Sequence, residues 1–215
     1  MDGLTGPRVE LREHVQRRLN VWRGAAGLAL CALWGWHAFV RNAQVPVLSF
    51  LDIAVHETGH VLFQPFGELT MLIMGSGFQV LFPFVVGLAF LVLQRDAIAL
   101  GVCWAWAANA CVDAARYIAD AKTGSLALLG GGPDAQGDWE RILGEEFYDK
   151  IFLADRIAGI ARTAGAVLLV AAVASIVTGM WWHHHKAELA ERIPLVRAVE
   201  PRSSMPAASP DEMWR

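Results

Sequence analysis

The sequence has little net charge, few cysteines and no small-residue cleavage pattern after its basic start, and each shortage excludes something. Lysine and arginine number 18 against 21 aspartates and glutamates, a formal charge of −3, so no nucleic acid or other polyanion is indicated as a partner. Cys31, Cys103 and Cys111 lie in apolar runs without C-x-x-C spacing, which removes a cysteine metal cluster and a disulfide frame and leaves small buried hydrophobes. Arg8, Arg12, Arg17, Arg18 and Arg23 precede the first apolar run, but no small-residue cleavage pattern follows, so that run is expected to stay in the protein. Gly130-Gly131-Gly132 is followed by no G-K-[ST] and is therefore no phosphate loop. No internal repeat is evident.

What the sequence does have is apolar residues. They make up 55% of the chain, against about 45–50% in ordinary soluble domains. The pattern predicts an all-α, polytopic membrane helical bundle of about five transmembrane spans with interfacial amphipathic helices. The spans fall near 24–40, 45–66, 71–93, 97–120 and 157–182. Residues 1–23 read as a basic interfacial segment, with Leu11, Val15, Leu19 and Trp22 at helical spacing against arginines. Residues 24–182 form the membrane domain, interrupted at 121–156 by a loop and short helices along the membrane, and 183–215 read as a disordered tail. Within the third span, Gly75-Ser76-Gly77, Gln79 and Pro83 suggest either backbone that leaves the helix beside a cavity or small residues that let helices approach. His183-His184-His185 reads as an interfacial cap, because consecutive helical residues point to different faces. The basic N-terminus, Lys122, Arg141, Lys150 and Arg156 favour a cytoplasmic N-terminus.

The chemistry lies in His56-Glu57-Thr58-Gly59-His60, an H-E-x-x-H box inside the second span. Residues four apart on a helix are about 40° apart around its axis, so both imidazoles can reach one zinc ion while Glu57 stands beside them as general base. Two histidines and a glutamate at membrane depth also need a compensating partner, which a divalent ion supplies. A catalytic zinc takes three protein ligands and keeps one position for water. No third histidine follows at metzincin spacing, so carboxylates are the candidates for the third ligand. Asn109, Asp113, Arg116 and Asp120 share one stripe of the fourth span. Pairing Arg116 with Asp113 leaves Asp120 as the preferred ligand, with Asp113 and Asp138 as alternatives. Asn109 and Gln79 are candidates to hold a substrate backbone, and Tyr117 to donate to an oxyanion.

An H-E-x-G-H box in a span, a glycine-broken tract with a glutamine after it, and a later span with asparagine before aspartate resemble the site-2 protease family of intramembrane zinc metalloproteases. The resemblance covers about residues 45–120. It implies a zinc metallopeptidase that cleaves peptide bonds in or near membrane segments of other proteins, with an aspartate as third ligand. The family's N-P-x-x-x-x-x-D-G pattern is missing, since Ala110 follows Asn109 and glycine follows neither Asp113 nor Asp120. The tract from Tyr117 to Ala121, with Asp138-Trp139 beyond the glycines, is similar to bacterial membrane proteins related to that family. The implied partners are a membrane-protein substrate and the lipid bilayer, and the implied location is the bacterial cytoplasmic membrane. Two other functions compete: a non-proteolytic scaffold or regulator stapled by zinc, and a metal or proton carrier that uses Asn109, Asp113 and Asp120 as a path.

Overall fold

The structure is a computed structural model that describes residues 6–126 and 136–192. It is all-α, with no strand among the described residues. Helix α1 spans Gly6–Gly35 and runs into a π-helical turn at Trp36–Val40. There follow α2 (Pro46–Phe63), α3 (Glu68–Gln94), α4 (Ala97–Asp120), the short α5 (Asp138–Leu143) and α6 (Ala154–Arg192). Three stretches, Glu68–Gln94, Ala97–Asp120 and Ile151–His185, are long and apolar enough to cross a membrane. The other two expected spans are helical as well. The first belongs to α1, and the second, α2, is 18 residues long and carries the box.

Local chemistry sets the ends. Pro46 occupies the first turn of α2, where its missing N–H costs no intrahelical bond. Gln64-Pro65-Phe66 tightens into a 3-10 turn, and Gly67 takes a φ of 98° that an L side chain resists, so α2 and α3 fold back on each other. Asp96 caps α4 by accepting from the Ile98 and Ala99 N–H groups at 3.1 and 3.0 Å.

Helix α4 is the centre, with Ala105 and the run from Ala107 to Ala115 buried. It packs closely on α6 because glycine stands at the contacts: a Cβ on Gly101 would lie 2.6 Å from the Ala172 carbonyl, and one on Gly165 2.8 Å from that of Ala108. Helix α1 joins them through Gly24 against Met180 and Gly27 against Ile176. On the other side α3 packs on α4 and α2 packs on α3. Helix α2 is therefore an edge helix, with Val47, Phe50 and Val61 more than 70% exposed on its outer side.

Three boundaries differ from expectation. Helix α1 runs unbroken through residue 23, because a basic flank and an apolar run are both compatible with helix. Helix α6 continues to Arg192, past the expected start of the tail at 183, and His185 Nδ1 donates to the Trp181 carbonyl at 3.0 Å while its ring stacks on Trp181. The Gly75-Ser76-Gly77 tract does not break the helix. It serves the small-residue alternative: a Cβ on Gly59 would lie 2.2 Å from the Met74 carbonyl, so α2 and α3 meet there almost backbone to backbone. The expected glycine joint at 130–133 and the tail from 193 onward lie outside the described residues.

Candidate metal centre

The box forms on α2 as its spacing predicts. His56 and His60 are half-buried on the side facing α3, while Glu57 is exposed. Donor atoms of these three residues lie within 4.8 Å of one another and could hold a metal ion. The neighbouring helix is shaped around them. A Cβ on Gly75 would stand 2.5 Å from His60 Cε1 and 2.7 Å from the Nε2 of each histidine, so only glycine leaves both rings their positions.

The inner nitrogen of each ring is engaged. His60 Nδ1 lies 2.9 Å from the Met71 carbonyl, which can only accept, so Nδ1 carries the proton. His56 Nδ1 meets Gln79 Oε1 at 3.3 Å in the same sense. In neutral imidazoles both Nε2 atoms then present lone pairs to the same point, and the protein fixes their orientation as metal sites do through second-layer hydrogen bonds.

A carboxylate arrives at that point. Asp138 Oδ2 lies 3.0 Å from His56 Nε2 and 3.2 Å from His60 Nε2. Asp138 opens α5, and its position is held from several sides. Its N–H donates to Tyr117 Oη at 2.8 Å, and Tyr117 itself packs edge-on to His56. Gly137 keeps the chain tight against the tyrosine ring, since a Cβ there would sit 3.2 Å from it. Trp139 Nε1 donates to Ser76 Oγ at 3.0 Å. Ile142 and Leu143 pack with Leu72, Ala121 and Ala154. Arg141 donates to both Glu68 and Glu146, with the Nε bond to Glu146 at 2.8 Å, and this guanidinium holds the Glu146 carboxyl below its usual range.

The other candidates lie elsewhere. The preferred Asp120 does not approach the histidines. At the last turn of α4 its carboxylate accepts from the Ser125 and Leu126 N–H groups at 3.0 and 2.9 Å and from the hydroxyls of Thr123 and Ser125, forming a cap for the turn beyond the helix. Asp113 forms the expected ion pair with Arg116, and its other oxygen accepts from Asn109. Asn109 is 2% exposed and bonded to Asp52 and Asp113, and Gln79 meets His56. Tyr117 faces Asp138. Asp52 and Met71 were not among the expected site residues, whereas Gly75 and Ser76 belong to the tract expected beside a cavity or a close helix contact. Asp52 did carry a signal, because it lies one turn before His56 on the same side of α2. A carbonyl such as that of Met71 carries none.

No protein-family model, curated protein or solved structure matches the chain.

Proposed function

We propose that the protein is a membrane-embedded zinc metallopeptidase, with His56, His60 and Asp138 as ligands and Glu57 as general base. One observation carries this reading. Two imidazole Nε2 atoms and a carboxylate oxygen converge on one point, with both Nδ1 atoms committed to acceptors, and a positive charge between them, a metal ion or a ring proton, is what holds such groups together. Two imidazoles and a carboxylate match the ligand set of catalytic zinc and leave one position open.

When bound, zinc lowers the pKa of a water and polarises a carbonyl. The remaining steps belong to the chain. Glu57 is exposed beside the imidazoles, so it takes the proton from the attacking water and passes it to the leaving amine. Gln79 and the Met71 carbonyl keep the rings aligned, and Tyr117 holds Asp138 to them. The exposed apolar residues of α2, among them Val47, Phe50, Val61 and Leu62, flank the box and suit a substrate that arrives through lipid as a locally unwound segment of another membrane protein. A scaffold reading is less well served, because a structural zinc fills its four positions with protein ligands and needs no base.

The test is metal analysis of the purified full-length protein and its variants, paired with a proteomic search for membrane proteins that accumulate uncleaved. Glu57→Gln should keep zinc and lose cleavage, while His60→Ala should lose both. A Glu57→Gln protein that is fully functional in cells would remove the peptidase reading.

A further inference from the structure

A second polar cluster sits on α2 one turn before His56 and is separate from the metal ligands. Asp52 is 2% exposed, and neutral groups of α4 meet both of its oxygens. Trp106 Nε1 donates to Oδ1 at 2.7 Å, and Asn109 Nδ2 to Oδ2 at 3.3 Å. The same Asn109 nitrogen lies 3.3 Å from Asp113 Oδ2, and Asp113 pairs with Arg116. Two buried carboxylates thus flank one amide, and the guanidinium lies on the Asp113 side. An ionised carboxylate buried among neutral partners in a membrane helix is costly, and protonation is the usual relief.

Asn109 supplies an independent sign. It is also 2% exposed, and its Oδ1 is buried without any hydrogen-bond partner, although its nitrogen reaches both acids. A buried carbonyl oxygen of this kind requires a donor. Asp52 Oδ2 lies 3.3 Å from the nitrogen of that amide, so a proton on Asp52 would bring a donor to the amide's side. We propose that Asp52, with Asn109 and Asp113, forms a proton-binding site on the metal-bearing helix, with Asp52 carrying the proton.

The surrounding charges are few. Helix α4 contributes Asp113 and Arg116, and Arg162 of α6 stands behind Arg116, both arginines bonding to Asn42. The π-helical turn, which packs on α4, carries His37, whose Nδ1 is buried and unpartnered. Helix α3 brings Phe82 against Trp106 and no titratable group at that contact. On α2 itself the neighbouring titratable groups are His56 and Glu57. Trp106 and Asn109 tie α2 to α4 through Asp52, and the bound proton removes the charge that would otherwise face Asp113 across that amide. With the proton lost, Asp52 and Asp113 repel across Asn109. Proton occupancy therefore bears on the position of the helix that presents His56.

The experiment is infrared spectroscopy of the full-length protein in lipid nanodiscs, with aspartate carboxyls labelled with carbon-13, titrated from roughly pH 5 to roughly pH 9, the span in which buried carboxyls are known to titrate. The wild type should show a protonated aspartate carbonyl band that disappears as pH rises. Asp52→Asn should lack that band, and Asp113→Asn should keep it. In Asp52→Glu the signal should move from labelled aspartate to labelled glutamate, which no folding defect imitates. Asp52→Asn should also retain its metal content, so this proposal and the metal reading fail separately. Absence of the band from the wild type, its persistence in Asp52→Asn, or its removal by sodium at constant pH would overturn the proposal.

Discussion

Asp138 Oδ2 lies 3.0 Å from His56 Nε2 although 82 residues separate them, and the same oxygen is 3.2 Å from His60 Nε2. The contact depends on how α5 docks. Tyr117, Ser76 and Glu68, on two different helices, each hold a group in the segment Asp138–Arg141. The candidate metal centre is thus assembled from α2 and a returning loop, with α3 and α4 as its frame.

Asp138→Asn should strip the purified protein of most of its metal, whereas Asp120→Asn should keep it and lose only the order of the turn at 123–126. Elemental analysis of the two variants side by side decides between them. Metal lost from Asp120→Asn and kept in Asp138→Asn would restore Asp120 as the ligand.

Gly75→Ala should damage the site while sparing the helix. Alanine is the better helix former by about 1 kcal/mol, but its methyl would fall 2.5–2.7 Å from imidazole atoms of both histidines. The rings must move. Metal affinity should fall sharply while circular dichroism shows unchanged helix content.

Gln79→Leu should weaken metal binding by about 10–100-fold, the usual effect of losing a hydrogen bond behind a ligand. Gln79 is buried and faces His56 Nδ1, so leucine fills similar space but leaves that N–H without its acceptor. Tyr117→Phe should act in the same direction by freeing the Asp138 N–H. Competition with a chromophoric zinc chelator measures both.

Asp96 gives a pH prediction at the turn between α3 and α4. Burial pushes its carboxyl up, but the Ala99 N–H, the Arg23 guanidinium and the Ile98 N–H outweigh that and hold it below its ordinary value. A group lowered in the folded state stabilises above its unfolded pKa, about 3.9, and that contribution disappears as pH falls through the folded value. Melting of the wild type should therefore lose stability below about pH 4 by a step that Asp96→Asn does not show. At neutral pH, Asp96→Ala should cost about 1 kcal/mol as a lost helix cap.

Much of the helical layout was legible because its signals are local. Asp96 before an apolar run starts α4, and Pro65-Phe66-Gly67 ends α2. The Gly75-Ser76-Gly77 tract was harder to read. Glycine weakens an isolated helix, yet here it lets α2 approach, and the packing gained outweighs the propensity lost. The pairing of Arg116 with Asp113 followed from their i, i+3 spacing. Asp120 shares the stripe with Asn109 and Asp113 yet turns to the segment after α4, because a stripe on a helix fixes which residues share a face and says nothing of how the chain beyond the helix uses them. Its carboxylate was taken up within six residues by its own turn.

The sequence by itself determined the all-α fold, the apolar helices and the common face of His56 and His60, because helical periodicity and hydrophobicity act between near neighbours. Tertiary structure alone decided that Asp138 meets those histidines, that Gly75 makes room for them and that Asp52 is enclosed with Asn109. These contacts join residues far apart in the chain, and they arise only when α5 and the faces of α2, α3 and α4 bury their apolar surfaces together.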